Sequence, residues 1–120
     1  MDQATIAKAI DGTYPAPQLA GVHGRMRFIG PLITRDVVID DGKVTITPDQ
    51  KGAVDCTITC FEPGDNLRLL RGDLQLVTSL LQGRLQAEGD PMLLVRIAGS
   101  MQELGRELPL PPSSQQATTH

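Results

Sequence analysis

His23, Asp36 and Asp55 are the side chains of this sequence best placed to act as a general acid or base beside an apolar surface. Such chemistry needs a proton carrier held within hydrogen-bond reach of its substrate and tuned by its surroundings. The three show no spacing that would bring a nucleophile, a base and an orienting group together. Both aspartates also fall on strand positions that alternate outward from apolar neighbours, and His23 reads as a surface residue at a strand end. The sequence therefore predicts no catalytic residue. Cys56 and Cys60 lie four apart in a strand pattern, a span of about 13 Å, too long for a disulfide. With only His23 and His120 besides them, they also lack partners for a zinc site. They are expected to be small apolar fillers, with no metal and no cofactor implied.

What remains is apolar surface. The chain has 120 residues, the size of one domain with one core. It has two phenylalanines, one tyrosine and no tryptophan, so that core must be built from aliphatic and methionine side chains. A net charge of -3 and the absence of any basic run argue against nucleic-acid binding. Arg25 with Arg27, and Arg68 with Arg71, are expected to be solvated surface charges. No segment is long and apolar enough for stable membrane insertion, and Met1 to Ile10 lacks the pattern of a secretion signal, so a cytoplasmic location is expected.

The elements that must shape this surface follow from periodicity. A short helix over Asp2 to Ile10 ends before Gly12, Pro15 and Pro17. Met26 and Phe28 point inward from a strand over residues 24–30. Val37-Val38-Ile39 and Val44-Thr45-Ile46 flank Asp40-Asp41-Gly42-Lys43, a hairpin signal because both turn residues tolerate positive φ. After a polar turn from Pro48 to Gly52, Val54, Cys56, Ile58 and Cys60 alternate with polar residues in an amphipathic strand.

Asp65 or Asn66 can cap a short helix that Gly72 terminates, with Leu67 and Leu70 inside. A second helix is predicted from about Asp73 to Gln82, burying Leu74, Val77, Leu80 and Leu81. Residues 84–88 return to the sheet. Asp90 as N-cap and Pro91 at the first helical position start a final helix. Leu94, Ile97, Met101 and Leu104 make its stripe. The predicted fold class is α+β: a five-stranded antiparallel sheet with helices packed on one face. Residues 1–108 form the single domain, and 109–120 a disordered Pro/Ser/Gln/Thr tail.

Asp41-Gly42-Lys43-Val44, Leu67 to Gly72, Gly83-Arg84-Leu85 and Glu88-Gly89-Asp90 together resemble the sterol carrier protein 2 family. The most specific feature is the glycine spacing, with Gly83 eleven residues after Gly72 and Gly89 six after Gly83. The resemblance spans about Val22 to Leu104. It implies an SCP2-like lipid-binding domain whose apolar tunnel, between sheet and helices, takes sterols, fatty acyl chains or acyl-CoA. The family's N-terminal helical part is mostly missing from this sequence, and no Ser-Lys-Leu signal ends it.

The expected function is non-catalytic binding or transport of a hydrophobic small molecule or lipid. Expected lining residues are Phe28, Ile46, Ile58 and Cys60 on the sheet and Val77, Leu80 and Leu81 opposite. Leu94, Ile97 and Met101 would close the far side. Met26, Met92 and Met101 could adapt to different ligand shapes. Two alternatives use the same groove: a homodimer or an accessory or scaffold partner of a lipid-metabolising enzyme, and an isomerase or cyclase acting on a hydrophobic substrate.

Overall fold

The computed structural model describes residues 3–48 and 52–108. Helix α1 (Gln3–Ile10) leads into β1 (Gly12–Pro15) and a 3-10 turn at Pro17–Leu19. Strands β2 (His23–Ile29), β3 (Thr34–Asp40), β4 (Lys43–Pro48) and β5 (Cys56–Cys60) follow. Helices α2 (Asp65–Leu70) and α3 (Leu76–Leu81) precede β6 (Leu85–Gly89), and α4 (Pro91–Ala98) and α5 (Met101–Glu107) follow it.

The sheet corrects the expected one in two respects. It has six strands in the order β1-β4-β3-β2-β5-β6, and β2 runs parallel to β5 while the other pairs are antiparallel. The added strand, β1, was hidden by Gly12 and Pro15, which read as breakers. Pro15 is tolerated because β1 is an edge strand. The parallel pair arises because β5 lies beyond β2, on the far side of the β2–β3–β4 meander from β4, with Met26 beside Cys56 and Phe28 beside Ile58.

The β3–β4 hairpin forms as the sequence predicts. Asp41 and Gly42 both have positive φ, and Asp40 faces Lys43. Alternation then sends Met26, Phe28, Val37, Ile39, Val44, Ile46, Cys56, Ile58 and Cys60 to one buried face. Helices α2 and α4 pack on β5, α3 on β6, and α5 on both α2 and β1. The opposite face carries Thr45, Thr47, Thr57 and Thr59, half-exposed.

Helix boundaries needed three corrections. Gly64, at positive φ, is the N-cap of α2, and Asp65 and Asn66 lie inside the helix rather than capping it. Helix α3 starts at Leu76 and buries Leu76 and Ser79, so the inner face expected from Leu74, Val77, Leu80 and Leu81 is rotated. The final helix is two helices broken at Gly99-Ser100. Its start is as expected, with the Asp90 carboxylate accepting from the Met92 and Leu93 amides. The expected tail at 109–120 and most of the turn after Pro48 lie outside the described residues.

Two arginine groupings also differ from the solvated charges expected. Arg27 forks onto Asp36 at 2.8 and 3.2 Å, and Asp36, although on the outer face, is fully buried. Arg68 and Arg84 both pair with buried Asp65, at 3.1 and 2.9 Å.

Candidate functional site

Six of the ten expected lining residues come together. Phe28, Ile46, Ile58, Cys60, Ile97 and Met101 belong to one buried cluster beneath the helices, where Leu67, Leu69, Leu70 and Leu104 join them. Leu80 and Leu94 are half-buried against it. Val77 and Leu81 stand outside, 56% and 84% exposed. The space between sheet and helices is thus occupied by side chains at native contact rather than held open.

Openings lie at the helical layer. A cleft of about 230 Å³ runs between α3 and the α4–α5 junction, lined by Leu74, Gln75, Leu76, Val77, Ala98, Gly99, Met101 and Gln102. Met101 is only 2% exposed and belongs to both the core cluster and this cleft. Leu76, also 2% exposed, shares that double membership, so one leucine and one unbranched, adaptable thioether stand between the cleft and the core cluster. The volume falls below the roughly 300–1,000 Å³ of ordinary ligand pockets, so a lipid requires the cleft to widen. Helix α3 is the wall best suited to move. It has six residues and no side-chain cap, too short to be stable apart from its packing.

By contrast, the α2 wall is fixed by polar side chains that sequence reasoning placed at the wrong job. The buried Asn66 amide donates to the Ile33 carbonyl at 2.7 Å and the Phe28 carbonyl at 3.3 Å, tying α2 to the β2–β3 loop. Asp65 accepts a fork from Arg84, fastening α2 to the start of β6. Beyond the helix, a Cβ on Gly105 would fall on the Arg71 carbonyl, and one on Gly72 would lie 3.1 Å from the Gln102 Cα. The end of α2 and α5 thus meet backbone to backbone. The spacing of Asp65, Asn66 and Arg84 after a Pro-Gly turn carried no signal of these contacts.

The acid-base candidates are engaged elsewhere. His23 pairs with Asp40 at 3.1 Å on the exposed strand end. Asp36 is held by Arg27. Asp55 accepts from the Arg25 amide at 2.8 Å, and its carbonyl receives the Asp90 amide. Burial, followed by the charge of Asp65, pushes the Cys60 thiol up to about 12. Burial, then the charge of Asp90, raises Cys56, opposed by a backbone hydrogen bond at Thr57 and helped by a smaller push from Asp55. Both thiols are therefore poor nucleophiles at neutral pH. Among the described residues, no three His, Cys, Asp or Glu side chains are grouped to hold a metal, and no helix is long and apolar enough to cross a membrane.

A helical layer against one face of a curved α+β sheet, with an apolar cleft at its edge, defines the architectural class. Residues 13–102 match the profile of the SCP-2 sterol transfer family, and the chain belongs to that family. No curated protein matches the chain. Among solved structures, palmitated SCP2L2 from Aedes aegypti is 19% identical with a TM-score of 0.54, over 84% of this chain and 95% of that one. The UbiJ-SCP2 ubiquinone synthesis protein is 18% identical with a TM-score of 0.51, over 86% and 78%. The sec-alkylsulfatase Pisa1 from Pseudomonas sp. is 17% identical with a TM-score of 0.55, over 70% of this chain. This chain spans only 14% of that enzyme's length. At these identities the likeness is one of fold.

Proposed function

We propose that this domain binds and carries a hydrophobic ligand, a sterol, a fatty acyl chain or a similar lipid, without chemistry of its own and without a cofactor. The observation that carries the reading is the pair Leu76 and Met101, shared between the buried core cluster and the open cleft beside α3. Displacing Met101 and lifting α3 would bring a ligand from the cleft to Ile97, Ile58, Phe28 and Ile46, with Cys60, Leu80 and Leu94 at the margins. Each CH₂ so buried contributes about 0.8 kcal/mol, so half of an acyl chain suffices for useful affinity. Residues 1–108 are the functional unit, acting in the cytoplasm.

Native mass spectrometry of the purified protein, with organic extraction of what travels with it, tests this reading. The expected result is a co-purifying lipid and saturable binding of fluorescent fatty-acid or sterol probes. Leu80→Asp, at a half-buried position, should weaken probe binding while the fold persists. Absence of both lipid and probe binding overturns the reading.

A second reading is favoured by the exposed Val77, Leu81, Met92 and Val95 on α3 and α4. A partner subunit or a second copy could cover them, making the domain an accessory to lipid-metabolising enzymes, as the name of the ubiquinone synthesis relative suggests. Light scattering separates the two readings: a monomer with a bound lipid supports carriage, and a stable dimer without one supports the accessory role.

A further inference from the structure

Arg71 and Arg106 flank a close backbone contact between the end of α2 and α5. Arg71 precedes Gly72 and Arg106 follows Gly105, and these glycines lie where the end of α2 meets α5. The flanking arginines therefore converge on one cleft of about 420 Å³, with Gln102 and Leu108. The Arg71 side chain is only 14% exposed, yet its Nε is buried without a hydrogen-bond partner among the described residues. Its nearest carboxylate, Asp73, stands 4.0 Å from Nε, an ion pair beyond hydrogen-bond reach. Arg106 is exposed and has no ion pair among the described residues. A guanidinium withdrawn from water with its donor unmet is costly unless an anion completes it.

We infer that this cleft is an oxyanion site that takes the carboxylate or phosphate head group of an amphiphile. The planar fork of arginine matches both oxyanions. Gln102 also lines the apolar cleft beside α3, so the charged and apolar openings adjoin at one residue. A head group held by Arg71 and Arg106 directs its chain past Gln102 toward Leu74, Leu76 and Met101. This assignment rests on the hydrophobic-ligand reading and narrows it to anionic amphiphiles. It also gives the ligand a fixed polarity, head at α5 and chain at α3.

The test is titration of the full chain with decanoate, decyl phosphate, decanol and inorganic phosphate, by calorimetry and amide NMR. Decanoate and decyl phosphate are expected to bind about tenfold or more tighter than decanol, the scale of a charge-assisted hydrogen bond. They should shift the Gly72 and Gly105 amides. Arg71→Gln and Arg106→Gln should each reduce that preference and leave decanol affinity unchanged. Arg106 is exposed, so its variant remains informative if Arg71→Gln does not fold. Inorganic phosphate binding at the same amides, without gain from the decyl chain, would keep the oxyanion site and overturn the amphiphile. Equal binding of decanol and decanoate in all three proteins would overturn the site while leaving the hydrophobic-ligand reading standing. Failure of every decyl compound to bind would overturn both.

Discussion

Helices α2 and α3 end at glycines eleven residues apart and cover neighbouring strands, yet they are held by opposite means. Each has six residues, too few to persist without tertiary support. Helix α2 receives it from Asn66 on one strand carbonyl and one loop carbonyl, from Asp65 on Arg84, and from backbone contact between its end and α5. Helix α3 has Leu76 and Ser79 inside and turns Val77 and Leu81 to solvent. One wall of the helical layer is pinned and the other is only leaned in place. Local opening concentrates where buried contacts are fewest, so the entry route of the proposed ligand falls on the α3 side.

Substitutions on the two helices can break or sharpen that contrast. The largest effect is expected at Gly105→Ala, whose Cβ meets backbone that cannot swing aside. It should cost about 3 kcal/mol, the upper end for an overpacked site, in urea unfolding. Next, Asp65→Ala leaves Arg84 and Arg68 without their shared carboxylate. Breaking a buried pair costs about 3–5 kcal/mol, and because Arg84 is 37% exposed a loss of about 2 kcal/mol is expected. An unchanged midpoint in either variant would mean that α2 is not pinned as described.

On α3 the expectations reverse. Val77→Asp and Leu81→Asp should each change stability by less than about 0.5 kcal/mol, as for exposed positions. Only Val77, which lines the cleft, should weaken binding of a fatty-acid probe. Equal loss from both would move the ligand onto the outer surface of the helix. An effect absent at neutral pH concerns Cys60, whose thiol is raised from 9.0 to about 12. The folded protein keeps a proton there that the unfolded chain releases. Stability from this source is complete below pH 9 and falls as pH rises from 9.0 toward about 12. Cys60→Ala should flatten that decline in alkaline denaturation curves.

Local chemistry in the sequence was a sound guide wherever a side chain and its own backbone decide the outcome. Asp41-Gly42 turns the hairpin, and Asp90-Pro91 starts α4, because both signals act within a few residues. Alternation also placed Met26, Phe28, Ile58 and Cys60 on the buried face. The errors came from partners distant in sequence. Pro15 forms a strand because β4 accepts it at an edge, and β5 pairs with β2 in parallel because of a crossover that no local pattern encodes. The stripe Ile97, Met101 and Leu104 is buried as periodicity demands, but it passes through a break at Gly99-Ser100. In α3, burial of polar Ser79 shifted the helix face, so Val77 and Leu81 emerged into solvent. Of the candidate site, the sheet half was legible and the α3 half was not.

The parallel β2–β5 pair and the seat of α5 on β1 also order events during synthesis. Met26 must wait for Cys56 before its strand has both neighbours, and β1 lacks its helical cover until Met101–Glu107 has been made. A nascent chain stopped short of α5 leaves the β1 end of the apolar sheet face uncovered, so that face stays open to aggregation until α5 is made.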